Sequence, residues 1–109
     1  MKIMAFGFID DDLRNDLVTL NHDQTAFQVH FFDGEQYRFN STDYVPVEGA
    51  GKITSIIISN DDIRLKSLLI ISKEDEEDEL NTLNLYRQVE KGKFEEFKES
   101  NINGMKIRS

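Results

Sequence analysis

The sequence predicts an α+β fold, mainly an antiparallel sheet built from hairpins and packed against a C-terminal helix. Two observations predict the sheet: apolar and polar residues alternate on both sides of the Asp33-Gly34 dipeptide, and a β-branched run, KITSIIIS, precedes the turn residues 60–62. The helix is predicted because apolar residues recur at intervals near three and four from Leu80 onward. The chain has 109 residues and no linker rich in proline, glycine or serine, so we expect residues 1–109 to form a single domain.

The N-terminal residues 2–9, KIMAFGFI, have the length of a strand and end at three consecutive aspartates. Both alternating faces of this stretch are apolar, so we expect a strand in a central position. The next segment supports two interpretations. Asp12 suits the N-cap of a short helix with Leu13, Leu17 and Leu20 on one side, whereas LVTL equally suits a strand.

The segment TAFQVHFFDGEQYRF predicts a β-hairpin. A three-residue loop, 32–34, sets Val29 opposite Tyr37 and Phe27 opposite Phe39, which gives one fully apolar face, whereas a two-residue loop mixes apolar and polar residues on each face. We therefore expect the three-residue loop, with these four side chains and Phe31 in the core.

A second hairpin is predicted after residues 40–51, a turn-rich segment that contains Pro46 and suits a loop or an irregular edge. Pairing Ile56 with Leu65 across a four-residue loop joins the β-branched run to IRLKSLLIIS. Residues 63–72 also carry leucines at helical offsets, so strand and helix both stay open there, with the triple isoleucine favouring strands.

The acidic run at 74–79 fits the first turn of the predicted C-terminal helix, because carboxylates interact favourably with unpaired amides at a helix N-terminus. Gly92 is expected to end or bend the helix. The apolar positions that define its buried side are Leu80, Leu83, Tyr86, Val89, Phe94 and Phe97.

Charge narrows the range of partners. Twenty-one acids against thirteen lysines and arginines give a formal net charge of −8. Such a field repels nucleic-acid phosphates and anionic lipids, so we expect neither nucleic acid nor membrane as a direct partner. The chain has no cysteine, its N-terminus does not resemble a signal peptide, and no apolar run is long enough to cross a bilayer. A cytoplasmic location is the simplest expectation.

Motifs for catalysis and cofactors are missing from the sequence. The stretch GAGKIT resembles part of a phosphate loop, but that pattern needs a glycine at position 46 and a serine or threonine at 53, where the chain has Pro46 and Ile53. We therefore expect no cofactor, no dedicated metal site and no enzymatic activity. His22 and His30 are the candidates for an acid–base or ligand site if the protein is instead a small enzyme or ligand-binding domain.

The acidic residues and one aromatic residue outside the predicted apolar face indicate a protein-binding surface. An aromatic side chain ringed by charge is a common anchor in protein interfaces. We expect an inhibitor that docks on a basic protein, most concretely an immunity or antitoxin protein that blocks a nuclease-type toxin. Self-association and assembly into a larger complex stay open. The candidate partner-binding residues are Asp10, Asp11, Asp12, Asp16, Phe32, Asp33, Glu35, Glu74, Asp75, Glu76, Glu77, Asp78 and Glu79.

Overall fold

A computed structural model describes residues 2–10, 15–47, 51–59, 65–74, 80–97 and 104–108. Within these ranges the protein is all-β, with two antiparallel sheets and no helix. The first sheet contains β1 (Lys2–Gly7), β2 (Asp16–Leu20), β3 (Ala26–Asp33), β4 (Arg38–Ser41) and β5 (Val45–Pro46). The second sheet contains β6 (Lys52–Ile58), β7 (Leu68–Lys73), β8 (Leu80–Glu90), β9 (Lys93–Glu96) and β10 (Lys106–Arg108).

Each sheet is a meander whose last strand is broken into two pieces. In the first sheet the order is β1-β2-β3-β4, and β5 continues the edge along β3 beyond β4. At the break, Thr42 N donates to Val29 O at 2.9 Å, and the Thr42 hydroxyl accepts from Val29 N at 3.1 Å. In the second sheet the order is β10-β8-β7-β6, with β9 pairing the other end of β8.

The two sheets share one hydrophobic core. Phe27 of β3 lies at its centre, with its ring edge-on to Tyr86 at a centroid distance of 5.4 Å and to Phe94 at 5.7 Å. These contacts join the sheets through large apolar side chains, which contribute most to core stability. The buried apolar residues of the cluster are Ile9, Val18, Leu20, Phe27, Val29, Phe31 and Val47 from the N-terminal half and Ile53, Ile56, Leu68, Ile70, Tyr86 and Phe94 from the C-terminal half.

The prediction of a C-terminal helix, and with it the α+β class, is wrong. The segment forms β8 and β9, a hairpin closed by the two-residue turn Lys91-Gly92. Asn84, Tyr86 and Gln88 are buried and alternate with the more exposed Leu85, Arg87 and Val89, which is the two-residue period of a strand. Asn84 and Gln88, two of these three inward residues, are polar. The two-residue period is therefore hidden in the sequence, and the apolar residues by themselves recur at helical spacing.

Gln88 explains how a polar side chain is tolerated inside. Its amide nitrogen donates to Ile9 O at 3.1 Å and Lys66 O at 3.2 Å, and its amide oxygen accepts from Gly92 N at 2.8 Å. Satisfied hydrogen bonds remove most of the penalty of burying an amide. Gly92 has a φ of 81°, so it serves the turn of a β-hairpin and does not bend a helix.

The first hairpin forms where predicted, but in a different register. Phe39 pairs with Phe32 instead of Phe27, and the connecting turn contains four residues, 34–37. Tyr37 adopts a φ of 52° in this turn. The inward face of β3 is confirmed, whereas Tyr37 and Phe39 are exposed and the prediction that they belong to the core is wrong.

The second hairpin also forms with a longer connection than predicted. Ile56 pairs with Ile70 instead of Leu65, and Ile58 pairs with Leu68. A four-residue loop satisfies local turn statistics, but the observed pairing also places Leu68 and Ile70 in the core between the sheets. Burial of these side chains therefore outweighs the shorter loop.

The structure decides between strand and helix in the two segments for which the sequence left both open. LVTL belongs to β2 and Leu68–Lys73 forms β7, so the strand interpretation is confirmed at both places, while residues 11–14 lie outside the described part. The N-terminal strand is also confirmed. Its expected central position is wrong, because β1 ends the first sheet and leaves Ile3 and Phe6 exposed.

Candidate functional site

Asp16 was predicted to face a partner, and the structure places it inside. Its side chain is fully buried, and its two oxygens accept hydrogen bonds from Ile9 N at 3.1 Å and Phe32 N at 3.0 Å. A carboxylate at the start of β2 thus ties the segment after β1 to the end of β3. The arrangement satisfies two backbone donors that a short apolar residue would leave unpaired.

Asp10 is also buried, and it pairs with a lysine that sequence reasoning did not single out. Lys91 Nζ lies 3.1 Å from Asp10 Oδ2 and 5.2 Å from the centroid of the Phe31 ring. The turn between β8 and β9 supplies this lysine, so the contact depends on two segments far apart in sequence. Its only sequence signal is a lysine beside a turn glycine, which is too common to identify the pair.

The remaining acidic candidates fall into two separated groups. Glu74 is exposed just after β7, near the start of β8, whereas Lys91 follows the end of β8. Over the eleven residues of β8, a rise of about 3.3 Å per residue puts these ends roughly 30 Å apart. Glu74 and the acidic residues near Lys91, such as Asp10, therefore cannot share one small contact area. Asp11 and Asp12, and residues 75–79 of the acidic run, lie outside the described part of the chain.

The tip of the hairpin between β3 and β4 brings together the other three candidates. We call it the hairpin tip and define it by Phe32, Asp33, Glu35, Tyr37 and Phe39. The rings of Phe32 and Phe39 lie 5.4 Å apart across the strands, and the side chains of Tyr37 and Phe39 are 83% and 46% exposed. Asp33 shapes the turn, since its Oδ1 accepts from Glu35 N at 3.0 Å.

Two adjoining hollows lie behind the hairpin tip, at the seam between the broken edge of the first sheet and the turn between β8 and β9. A hollow of about 380 Å³ is lined by Phe32, Asp33 and Glu35, and Lys91 lines it from the other sheet. A neighbouring hollow of about 460 Å³ is lined by hydroxyl and amide side chains and by Lys91 and Lys93, with Phe31 and Phe94 also lining it. The tip therefore borders a concave surface of mixed polarity.

On the outer face of the first sheet, a histidine links three strands. His30 Nε2 lies 2.8 Å from Thr19 Oγ1 on β2, and His30 Nδ1 lies 2.6 Å from Ser41 Oγ on β4. Partial burial lowers the pKa of His30 from its usual value of 6.5. His22 is exposed in the turn between β2 and β3, so the two histidines occupy separate places in the sheet.

The lowered pKa of His30 predicts a loss of stability in mild acid. Its protonation is easier in the unfolded chain, so its contribution is fully present above the unfolded pKa of about 6.5 and is lost as pH falls through the folded pKa. We expect the urea concentration at the midpoint of unfolding to decrease when the pH is lowered from about 7.5 to about 5.5. The decrease should be larger in the wild type than in His30→Gln, which keeps a hydrogen-bonding group. Equal falls in both proteins would contradict this assignment.

Within the described ranges, no cluster of three or more histidine, aspartate or glutamate side chains could hold a metal ion. The same residues include no helix long and apolar enough to cross a membrane. Comparisons with protein-family models, curated proteins and solved structures find no match to this chain. The case for a function therefore depends on the surface just described.

Proposed function

We propose that this protein is an inhibitor that binds a basic protein partner, with the hairpin tip as its contact surface. In its most concrete form it is an immunity or antitoxin protein that neutralises a nuclease-type toxin. The observation that carries the proposal is the exposed aromatic group at the hairpin tip, with Asp33 and Glu35 beside it. Aromatic side chains that are surrounded by polar residues, and that become buried when the partner binds, are typical anchors of protein interfaces.

The net charge of −8 supports a basic partner. A nuclease must present a positively charged cleft to its substrate, and an acidic protein is steered toward such a cleft by long-range attraction. Phe39 and Tyr37 then supply apolar contact, and Glu35 pairs with a lysine or arginine of the partner. Inhibition is steric: the bound protein covers the active site and needs neither a cofactor nor chemistry of its own.

The same reasoning extends to location and other partners. We place the protein in the cytoplasm, because a chain without cysteine that neutralises a toxin acts where that toxin would damage the cell. Direct binding to nucleic acid or to an anionic membrane is disfavoured by the charge. Glu74 lies too far away to join the hairpin tip in one small contact.

The test begins with capture of a partner from the native host by the tagged protein, followed by identification by mass spectrometry. We expect one basic protein whose enzymatic activity is blocked in the complex and whose affinity falls as salt rises. A partner that stays fully active while bound, or a bound protein that is not basic, would overturn the proposal.

Variants of the hairpin tip then locate the contact. Glu35→Lys should lower the association rate by roughly tenfold, and Phe39→Ala should weaken affinity by roughly 10- to 100-fold, mainly through faster dissociation. Glu35 is preferred to Asp33 for charge reversal because Asp33 holds the turn.

The matched control is Asp23→Lys, the same charge reversal at an exposed turn before β3, at the opposite end of that strand from the hairpin tip. It should change association only slightly. Glu74→Lys tests the rival acidic group. If Asp23→Lys and Glu74→Lys slow association as much as Glu35→Lys, the attraction is nonspecific and the hairpin tip is not the contact.

A second candidate function is binding of a small ligand in the hollow of about 460 Å³ behind the tip. That volume lies within the range of known ligand sites, and Lys93, Asp43 and aromatic side chains line the hollow, which suits a small polar ligand with an apolar part. Lys93→Ala separates the candidates, because it should abolish ligand binding and leave partner association nearly unchanged.

A further inference from the structure

We propose that the hollow of about 380 Å³ behind the hairpin tip is a pocket for one arginine side chain of the basic partner. This inference rests on the proposed function and deepens it, since it names the residue type by which the partner is recognised. The lining residues that carry the argument are Phe31, Asp33, Glu35, Asn40 and Lys91.

Strand pairing places three of the lining residues on the inner face of the first sheet. Phe31 pairs directly with Asn40, and directly opposite residues share a face. Asp33 lies two residues beyond Phe31 on β3, so it belongs to the same face. Phe31 is part of the hydrophobic core, and the two polar residues continue this face beyond the core. The hollow therefore has an apolar wall beside the core and polar walls nearer the hairpin tip.

The two carboxylates that line the hollow retain oxygens that can accept hydrogen bonds. Asp33 uses Oδ1 to hold the turn, where it accepts from Glu35 N at 3.0 Å and from Gln36 N at 3.3 Å. Among the residues that the structure describes, none donates a hydrogen bond to Asp33 Oδ2 or to the carboxylate of Glu35. Carboxylate oxygens form their strongest hydrogen bonds with positively charged donors. These oxygens therefore suit a cationic side chain that enters from outside.

Lys91 also lines the hollow, but its positive charge is already balanced. Its Nζ lies 3.1 Å from Oδ2 of Asp10, whose side chain is buried. Asp33 and Glu35 therefore leave the hollow with an excess of negative charge. The same ammonium group lies 5.2 Å from the centroid of the Phe31 ring, so the apolar wall already has a cation over its face. An incoming cation is accommodated on the side of Asp33 and Glu35, and an anion is disfavoured there.

Arginine fits this lining better than lysine does. Its planar guanidinium has five donors and can bind two carboxylates at once, whereas an ammonium is a compact point charge. The side-chain oxygen of Asn40 supplies a further acceptor. The volume of about 380 Å³ accommodates one long side chain and lies near the lower end of small-molecule sites, which run from roughly 300 to 1,000 Å³. Arginine is also one of the residues enriched among the energetic anchors of protein interfaces.

The experiment uses the purified full chain and no partner. Its amide resonances are followed by NMR while N-acetyl-arginine methylamide is added, up to about 20 mM. The comparison probe is the citrulline counterpart, which has nearly the same shape and no charge. We expect saturable shifts at the backbone amides of Gly34 and Glu35 and at the side-chain amide of Asn40, with the citrulline probe bound at least roughly fivefold more weakly. Absence of saturable shifts, or equal binding of the two probes, would overturn the proposal.

Two variants remove one charge each and keep the shape of the side chain. Glu35→Gln and Asp33→Asn should each weaken binding of the arginine probe by roughly three- to tenfold, and Asp33→Asn keeps the oxygen that holds the turn. The matched control is Asp23→Asn, which makes the same change at an exposed turn at the opposite end of β3. It should leave binding unchanged. An equal loss in Asp23→Asn would show nonspecific attraction and would contradict a pocket at this place.

The outcome separates this inference from the proposed function. A basic partner that is captured and blocked, while the arginine probe does not bind, would overturn the pocket and leave the inhibitor intact. Binding of the probe without any basic partner would overturn the inhibitor and leave a guanidinium pocket. With the partner in hand, a double-mutant cycle completes the test: alanine in place of the contacting arginine and Glu35→Gln should be non-additive, because they remove two sides of one interaction. Additive losses would place the arginine elsewhere.

Discussion

Phe27→Ala is expected to lower the free energy of unfolding by about 3–5 kcal/mol, the usual range for truncating a buried phenylalanine. The side chain is fully buried between the sheets, and its edge-on contacts with Tyr86 and Phe94 would be lost with its apolar surface. Urea unfolding monitored by tyrosine fluorescence and circular dichroism measures the change. For a small domain, such a loss is a large share of the total stability.

Phe39→Ala is the matched control for this substitution. Phe39 lies in the same sheet but is 46% exposed, so its removal should lower the free energy of unfolding by about 1 kcal/mol or less. Equal losses of stability in the two variants would contradict the shared core of the two sheets, because Phe27 contacts the second sheet and Phe39 pairs with Phe32 within the first.

Asp16→Ala is expected to lower the free energy of unfolding by roughly 2–5 kcal/mol, since each buried N–H left without a partner costs roughly 1–3 kcal/mol. The backbone amides of Ile9 and Phe32 would lose their acceptor in a place that water reaches poorly. Asp16→Asn should recover part of the loss, because its amide oxygen can still accept one of the two bonds.

Asp23→Ala provides the comparison for the loss of negative charge. Asp23 is exposed in a turn, so this variant should change stability by no more than about 0.5 kcal/mol. If Asp16→Ala changed the free energy of unfolding equally little, its two hydrogen bonds to Ile9 N and Phe32 N would not be holding the segment after β1 to the end of β3. The distinction also matters for partner binding, because loss of binding in an Asp16 variant would report damage to the fold and not a lost contact.

Local sequence patterns predicted where strands form better than they predicted which distant residues each strand contacts. The alternation of Phe27, Val29 and Phe31 correctly identifies the inner face of β3, because its polar neighbours are directed outward. The same principle failed for β8, where Asn84 and Gln88 occupy inward positions. A buried amide is tolerable only when particular acceptors and donors surround it, and those groups come from distant segments.

The candidate surface was partly visible in the sequence. Phe32, Asp33 and Glu35 are close in the chain, so any hairpin with its turn near Asp33 brings them together. Phe39 joins them because it pairs with Phe32 instead of Phe27, a shift of five positions along β3. A shift by an odd number of residues reverses the side of the sheet that Phe39 faces, and it adds a second ring to the hairpin tip.

Composition, charge and local alternation by themselves determined the acidic character of this protein, the absence of cysteine, and five of the ten described strands (β1, β3, β4, β6 and β7), because each depends on residues near one another in the chain. Tertiary structure decided the all-β class, the register of both hairpins, and the burial of Asp10 and Asp16. The physical reason is that these features depend on partners far away in sequence: Gln88 needs Ile9 and Lys66, Asp10 needs Lys91, and Phe27 needs the opposite sheet.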